Sequence, residues 1–154
     1  EVFETACRIG VSSAELRLLF YSTVMNVLGG NVDDHNKNFS FLMGQDGQWH
    51  FAPVYDYTFT VDPSAPHYVN RHSMIINGKV QDITREDLLG LAKRYNIKSA
   101  ASYIEKAIDV VGNYQAYGER AGVSGYWIHV IKEEIAARIE NMSDERSQSH
   151  VFKR

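Results

Sequence analysis

The stretch GGNVDDHNKNFSFLMGQDGQWHFAPVYDYT, residues 29–58, holds the pattern on which the fold turns. A polar run at residues 31–38 leads into two short apolar stretches, FSFLM and QWHFA, separated by Gly44-Gln45-Asp46-Gly47. Turn-forming residues between two such stretches are the signature of a β-hairpin. Pro53 ends the second strand and delivers Val54-Tyr55-Asp56-Tyr57 just beyond it. Because the strands run out and back, Asp56 is expected to return close to the loop that holds Asp33.

Upstream, Ser12-Ser13-Ala14-Glu15 reads as a capping box, and Leu16, Leu19, Phe20, Val24, Val27 and Leu28 recur at helical spacing until Gly29-Gly30 stops the helix. The polar loop therefore sits between a buried helix and a hairpin. Downstream, residues 58–72 contain Pro63, Pro66 and many small or polar residues, and read as a long irregular loop. From Thr84 the pattern turns helical: Thr84-x-x-Asp87 resembles a second capping box, followed by Leu88, Leu89, Leu91 and Ala92. Ser99 is placed to cap a helix through about Val111. A last helix from about Gly125 puts Trp127, Ile128, Ile131, Ile135, Ile139 and Met142 on one broad stripe. These helices are expected to form the supporting core, with residues 1–142 as the domain and 143–154 as a flexible tail lacking apolar periodicity. The fold class implied is α+β, mainly α.

With 154 residues the chain has the size of one domain, short for a complete two-lobed phosphotransferase. An apolar fraction of 44% with 23% charged residues suits a soluble globular protein, and no apolar run approaches the roughly 20 residues of a membrane helix. No membrane association is expected. A net charge of −3 argues against a large nucleic-acid footprint, so no direct nucleic-acid contact is expected either. The single cysteine, Cys7, excludes a disulfide framework within the chain, reads as a buried inert thiol, and fits a reducing cytoplasm. The first residues, EVFETACRIG, lack an initiator Met and any signal-peptide pattern, so the chain is expected to be cut from something longer.

Asp33 and Asn38 are separated by four residues, and Asp56 emerges after the hairpin. Phosphoryl transfer needs a carboxylate to position the attacking hydroxyl and take its proton, and oxygen ligands to hold magnesium against the nucleotide phosphates. Magnesium prefers hard oxygen ligands and keeps several waters, so one Asp and one Asn suffice from the protein. Protein kinases space their catalytic Asp and metal Asn as D-x-x-x-x-N, with a second metal Asp in a later motif. The same order and first spacing recur here. An Asp and an Asn five positions apart mean little alone. What adds weight is the cluster of Asp33, Asp34, His35, Lys37 and Asn38, expected at the surface between strongly apolar elements, with a further Asp framed by Tyr55 and Tyr57. Crowded carboxylates call for a compensating cation, and a metal would supply one.

Three residues of the cluster carry alternative readings. His35 could orient the loop, contact a phosphate or simply be solvated. Lys37 is either a phosphate or substrate contact or an exposed lysine. Asp34 either tunes the field of a metal or is a turn residue capping local backbone N–H groups, and is not read as catalytic. His50, His67, His72, His129 and His150 show no ligand spacing, and Trp49 and Trp127 read as core or partly buried packing. Neither a zinc site nor a nucleophile triad is indicated.

The run GNVDDHNKNFSFLM, then GQWHFAPVYDYT, then HSMIINGK resembles the C-terminal catalytic portion of HipA-like serine/threonine kinases, the toxins of toxin–antitoxin systems. The resemblance covers most of residues 12–98. It implies a kinase C-lobe-like helical domain in which a small antiparallel hairpin carries the catalytic and metal loop. It further implies Asp33 as the catalytic Asp, Asn38 and Asp56 as the magnesium pair, His35 and Lys37 as motif residues of the nucleotide site, and ATP with Mg2+ as cofactors. Asp34 stands where some members have Gly, and Tyr57 where an aliphatic residue is usual. The Asn77-Gly78-Lys79 turn also looks like the family's, its purpose not readable from the residues. The partners implied are a protein substrate such as a translation component, a DNA-binding antitoxin, and an N-terminal kinase lobe that supplies the nucleotide-contacting lysine, the phosphate-gripping loop and a regulatory serine. None of these three features is visible in the chain. Two rivals remain at this level: D-x-H-x-x-N also resembles the catalytic loop of lipid kinases, and a non-catalytic interaction module could keep the same fold.

Overall fold

The computed structural model describes residues 1–143, so the tail expected at 143–154 lies from residue 144 outside the described residues. In chain order the elements are α1 (Val2–Arg8), α2 (Ser13–Gly29), β1 (Phe41–Met43), β2 (Trp49–Phe51), α3 (Arg85–Arg94), α4 (Ala100–Gly112), α5 (Tyr114–Arg120) and α6 (Gly125–Glu140). The fold is α+β and mainly α, as the residue pattern implied. Helix α2 is its axis. It packs against α1, α4, α6 and β2, and buries Leu19, Phe20, Val24, Val27 and Leu28 together with the polar Ser22, Thr23 and Asn26. Each of its large apolar side chains contributes roughly 1.5–3 kcal/mol by leaving water. Thr23 survives in that interior because its hydroxyl donates to the Leu19 carbonyl at 2.9 Å.

The start of α2 also places the hairpin. Ser12 and Glu15 form the reciprocal capping box, and the same Glu15 carboxylate accepts from the Phe51 amide at 3.2 Å and lies 3.1 Å from His50 Nδ1. The Ser12 hydroxyl above all, then His50 and the Ser12 and Phe51 amides, hold the Glu15 carboxyl below its ordinary range against its partial desolvation. The antiparallel register pairs Phe41 with Phe51, Leu42 with His50 and Met43 with Trp49. Gly47 takes the left-handed conformation in the connecting turn, with φ 77°.

The second capping box also forms, with Thr84 and Asp87 at the head of α3. Four expectations need correction. Helix α4 begins where Ser99 suggested, yet Ser99 has φ 60° and makes no side-chain cap, so position rather than capping chemistry marks that boundary. Cys7 is exposed, because Val2, Phe3 and Ala6 supply the buried face of α1 and its neighbour points away. Trp127 is 46% exposed and meets Tyr126 edge-on, while Ile128, Ile135 and Met142 of the stripe are buried and Ile131 and Ile139 pack, partly buried, against the core. Asp34, expected with its neighbours on the surface, is fully buried. Helices α1 and α5 are short, and their residues carry too few apolar positions for periodicity to show. Among the described residues no helix is long and apolar enough to cross a membrane.

Candidate functional site

Gly30 ends α2 in the left-handed conformation (φ 71°), and its amide and that of Asn31 both return to the Asn26 carbonyl. The chain that leaves this cap is stitched to residues 56–60. The Thr60 amide donates to the Gly30 carbonyl at 3.0 Å, and the Thr60 hydroxyl accepts from the amides of Val32 at 2.8 Å and Asp33 at 3.1 Å. Asn31 is buried and donates its side-chain amide to Asn26 Oδ1 at 3.0 Å and to the Asp56 carbonyl at 3.4 Å. Asp56 is exposed and holds φ 52°, a conformation that an Asp tolerates better than most residues. The return of the chain after the hairpin thus brings Asp56 beside the loop of Asp33.

Within the loop, Asp33 presents its carboxylate to solvent, 59% exposed, while its carbonyl accepts from Asn38 Nδ2 at 2.9 Å. That bond uses the nitrogen of Asn38 and leaves its amide oxygen as the opposite end of the group. The Asn38 amide closes a single 3-10 turn onto the His35 carbonyl. His35 Nε2 lies 3.8 Å from Asp33 Oδ1, within ion-pair range but too long for a hydrogen bond. Lys37 is exposed, and its ammonium makes no ion pair among the described residues; its carbonyl accepts from the Tyr55 hydroxyl at 2.6 Å, which also meets Ser40 Oγ. Asp33, His35 and Asn38 are therefore brought together, Asp56 approaches through Asn31, and Lys37 borders the group.

Asp34 does something the linear pattern did not reveal. Instead of capping local N–H groups, its carboxylate reaches residues some forty positions away. Oδ1 accepts from the amides of Ser73 at 2.8 Å and Met74 at 3.0 Å, and Oδ2 lies 2.9 Å from Nδ1 of His72, itself buried. The Ser73 amide region is doubly held, since Ser73 N also donates to the Val32 carbonyl at 3.1 Å. His72 had no visible role in the sequence, and nothing in residue spacing pairs positions 34 and 72. The turn at Asn77-Gly78 was visible as a turn, and its purpose is now clear. Asn77 Nδ2 and Lys79 Nζ donate to the two oxygens of Asp87 at 3.0 and 2.8 Å, which fastens the turn to the head of α3. The chain leaving the turn then gives the Val80 carbonyl to the His72 amide at 2.8 Å.

The donor set can be tested against magnesium. Asn38, half-buried, and Asp56, exposed, each offer a hard oxygen atom of the kind magnesium takes while it retains most of its water. Among the described residues no group of three or more His, Cys, Asp or Glu side chains forms a metal cluster, so a closed site of the zinc kind is not built here. Next to Asp56, Tyr57 is 40% exposed as a residue, yet desolvation at its phenol and, secondarily, the neighbouring Tyr21 push that group above its ordinary range.

The sequence model described as the HipA-like C-terminal domain matches residues 1–118 of this chain. No curated protein matches it.

Proposed function

The chain belongs to the HipA-like C-terminal domain family, and from that premise we propose that it is the catalytic lobe of a serine/threonine protein kinase. One observation carries the reading: the solvent-facing Asp33 carboxylate lies on a loop whose backbone is fixed by the Thr60 hydroxyl and closed by Asn38. In the reaction a substrate hydroxyl oxygen forms a bond to the γ-phosphorus of ATP while the bond from that phosphorus to the β–γ bridging oxygen breaks. The hydroxyl proton passes to Asp33, and ADP leaves. His35, 3.8 Å from that carboxylate, would orient it, and the exposed Lys37 stands ready for a phosphate or substrate oxygen. Asn38 and Asp56 would hold Mg2+, which when bound screens the phosphate oxygens. On the same family reading, the substrate is a protein such as a translation component and the setting is a cytoplasmic toxin restrained by a DNA-binding antitoxin. An N-terminal lobe supplies the nucleotide grip, so this chain by itself turns over no ATP.

The test compares Asp33→Asn, Asn38→Ala and Asp56→Asn in the complete protein, with nucleotide affinity, phosphotransfer and melting temperature read in parallel. Asp33→Asn is expected to lower turnover by about 10²–10⁴-fold while nucleotide affinity holds. Asp56→Asn and Asn38→Ala should weaken magnesium-dependent nucleotide binding as well as turnover. Near-normal turnover in Asp33→Asn, or loss of stability alone in all three, would replace the kinase reading with a non-catalytic interaction module.

A further inference from the structure

We propose that Asp34 and His72 are positioning residues, a buried carboxylate–imidazole pair that sets the backbone of the adjoining Asp33 and with it the direction of the Asp33 carboxylate. The inference rests on the phosphotransfer reading above. Asp33 and Asp34 are neighbours of identical chemistry with opposite fates: the first side chain is 59% exposed, the second 0%. A carboxylate goes into the interior only where donors replace its water. Asp34 has three of them, the amides of Ser73 and Met74 and the His72 imidazole. Holding the residue after Asp33 inward turns Asp33 itself outward, and the Thr60 hydroxyl fixes the backbone on its other side.

His72 is in turn rigidly placed. Its amide is bonded to the Val80 carbonyl, and the turn between them is fastened by Lys79 and Asn77 to Asp87 at the head of α3. A line of direct contacts therefore runs from α3 through the Asn77-Gly78 turn, His72 and Asp34 to Asp33. Because Nδ1 faces a carboxylate, it is the ring nitrogen that donates to Asp34, and Nε2 is buried with no hydrogen-bond partner among the described residues. The imidazole thus spends its Nδ1–H on Asp34. A residue that merely filled space there would not need that donor. Asn places its side-chain nitrogen where Nδ1 lies, so His72→Asn keeps the bond at smaller volume, whereas His72→Ala removes it.

Two measurements separate these possibilities. In the complete protein with ATP, magnesium and a protein acceptor, His72→Ala is expected to lower kcat by about 10²-fold with KM for ATP nearly unchanged, and His72→Asn to restore most of the loss. In the present chain, amide hydrogen exchange at residues 31–38 should speed up in His72→Ala and return toward the wild-type rate in His72→Asn. Equal losses in both variants that simply follow melting temperature would reduce the pair to packing and overturn the proposal, as would wild-type exchange and turnover in His72→Ala. If the wild-type protein shows no phosphotransfer at all, the kinase reading falls, and exchange alone decides whether the pair holds the loop.

Discussion

Asp33 and Asp34 show how little residue type says without its surroundings. The same carboxylate is a solvent-facing group at one position and an interior anchor at the next, and the donors that decide it come from residues 72–74. Gly30 is the opposite kind of residue, one whose lack of a side chain is the point. Its φ of 71° disfavours any Cβ, and a Cβ built there would lie 2.9 Å from the Phe59 ring. Gly30→Ala is therefore expected to cost about 1–3 kcal/mol in denaturant unfolding and to displace residues 59–60 from the loop. Gly29→Ala provides the control. That glycine is helical, a Cβ added to it would meet only the Tyr57 hydroxyl at 3.8 Å, and the change should be neutral or stabilise by up to about 1 kcal/mol. A larger loss at Gly29 than at Gly30 would contradict the account of the cap.

Among the elements, the two capping boxes are the parts most completely written in local sequence, because both partners lie within four residues of each other. Each also does more than cap. Glu15 reaches the hairpin, and Asp87 collects Lys79, Asn77 and Thr84. Burial raises the Asp87 carboxyl, but the bonds from Lys79, the Thr84 amide, Asn77 and the Thr84 hydroxyl outweigh it and bring the group down to about 2 from 3.8. A carboxyl held low in the folded state stabilises it above the unfolded value and loses that contribution as pH falls toward the folded one. Wild type should therefore exceed Asp87→Asn in stability by on the order of 1–2 kcal/mol near neutrality, with the gap closing between about pH 4 and pH 2. Urea unfolding of both proteins across that range reads it directly. A gap that stays constant with pH would mean the turn is held by shape rather than charge.

For the whole molecule, the telling feature is that the core outruns the family match. The match ends at residue 118, yet Ile135 and Met142 belong to the main hydrophobic cluster, and Arg138 Nη1 donates at 3.3 Å to the Val27 carbonyl near the end of α2. Burial pushes the Arg138 guanidinium down, against the opposing pull of Glu134 and Asp82. A chain ending at residue 118 should lose several kcal/mol, since each deleted core aliphatic alone is worth about 2–5, and should show no cooperative melt where residues 1–143 do. Equal melting of the two would separate α6 from the core. Hydrophobic period, caps and turn residues were enough to determine the long helices, the hairpin and the order of Asp33, Asn38 and Asp56, because those signals act over a few residues. They were silent on α1 and α5, which are too short to show a period, and misleading on Cys7 and Trp127, where composition says apolar and the neighbouring elements leave the side chain in water. The burial of Asp34, its pairing with His72 and the stitching of Thr60 to residues 30–33 were decided only by the tertiary structure. Hydrogen bonds between residues 27 to 40 positions apart leave no periodic trace in a sequence; they exist only once the packing of the helices has brought the loops together.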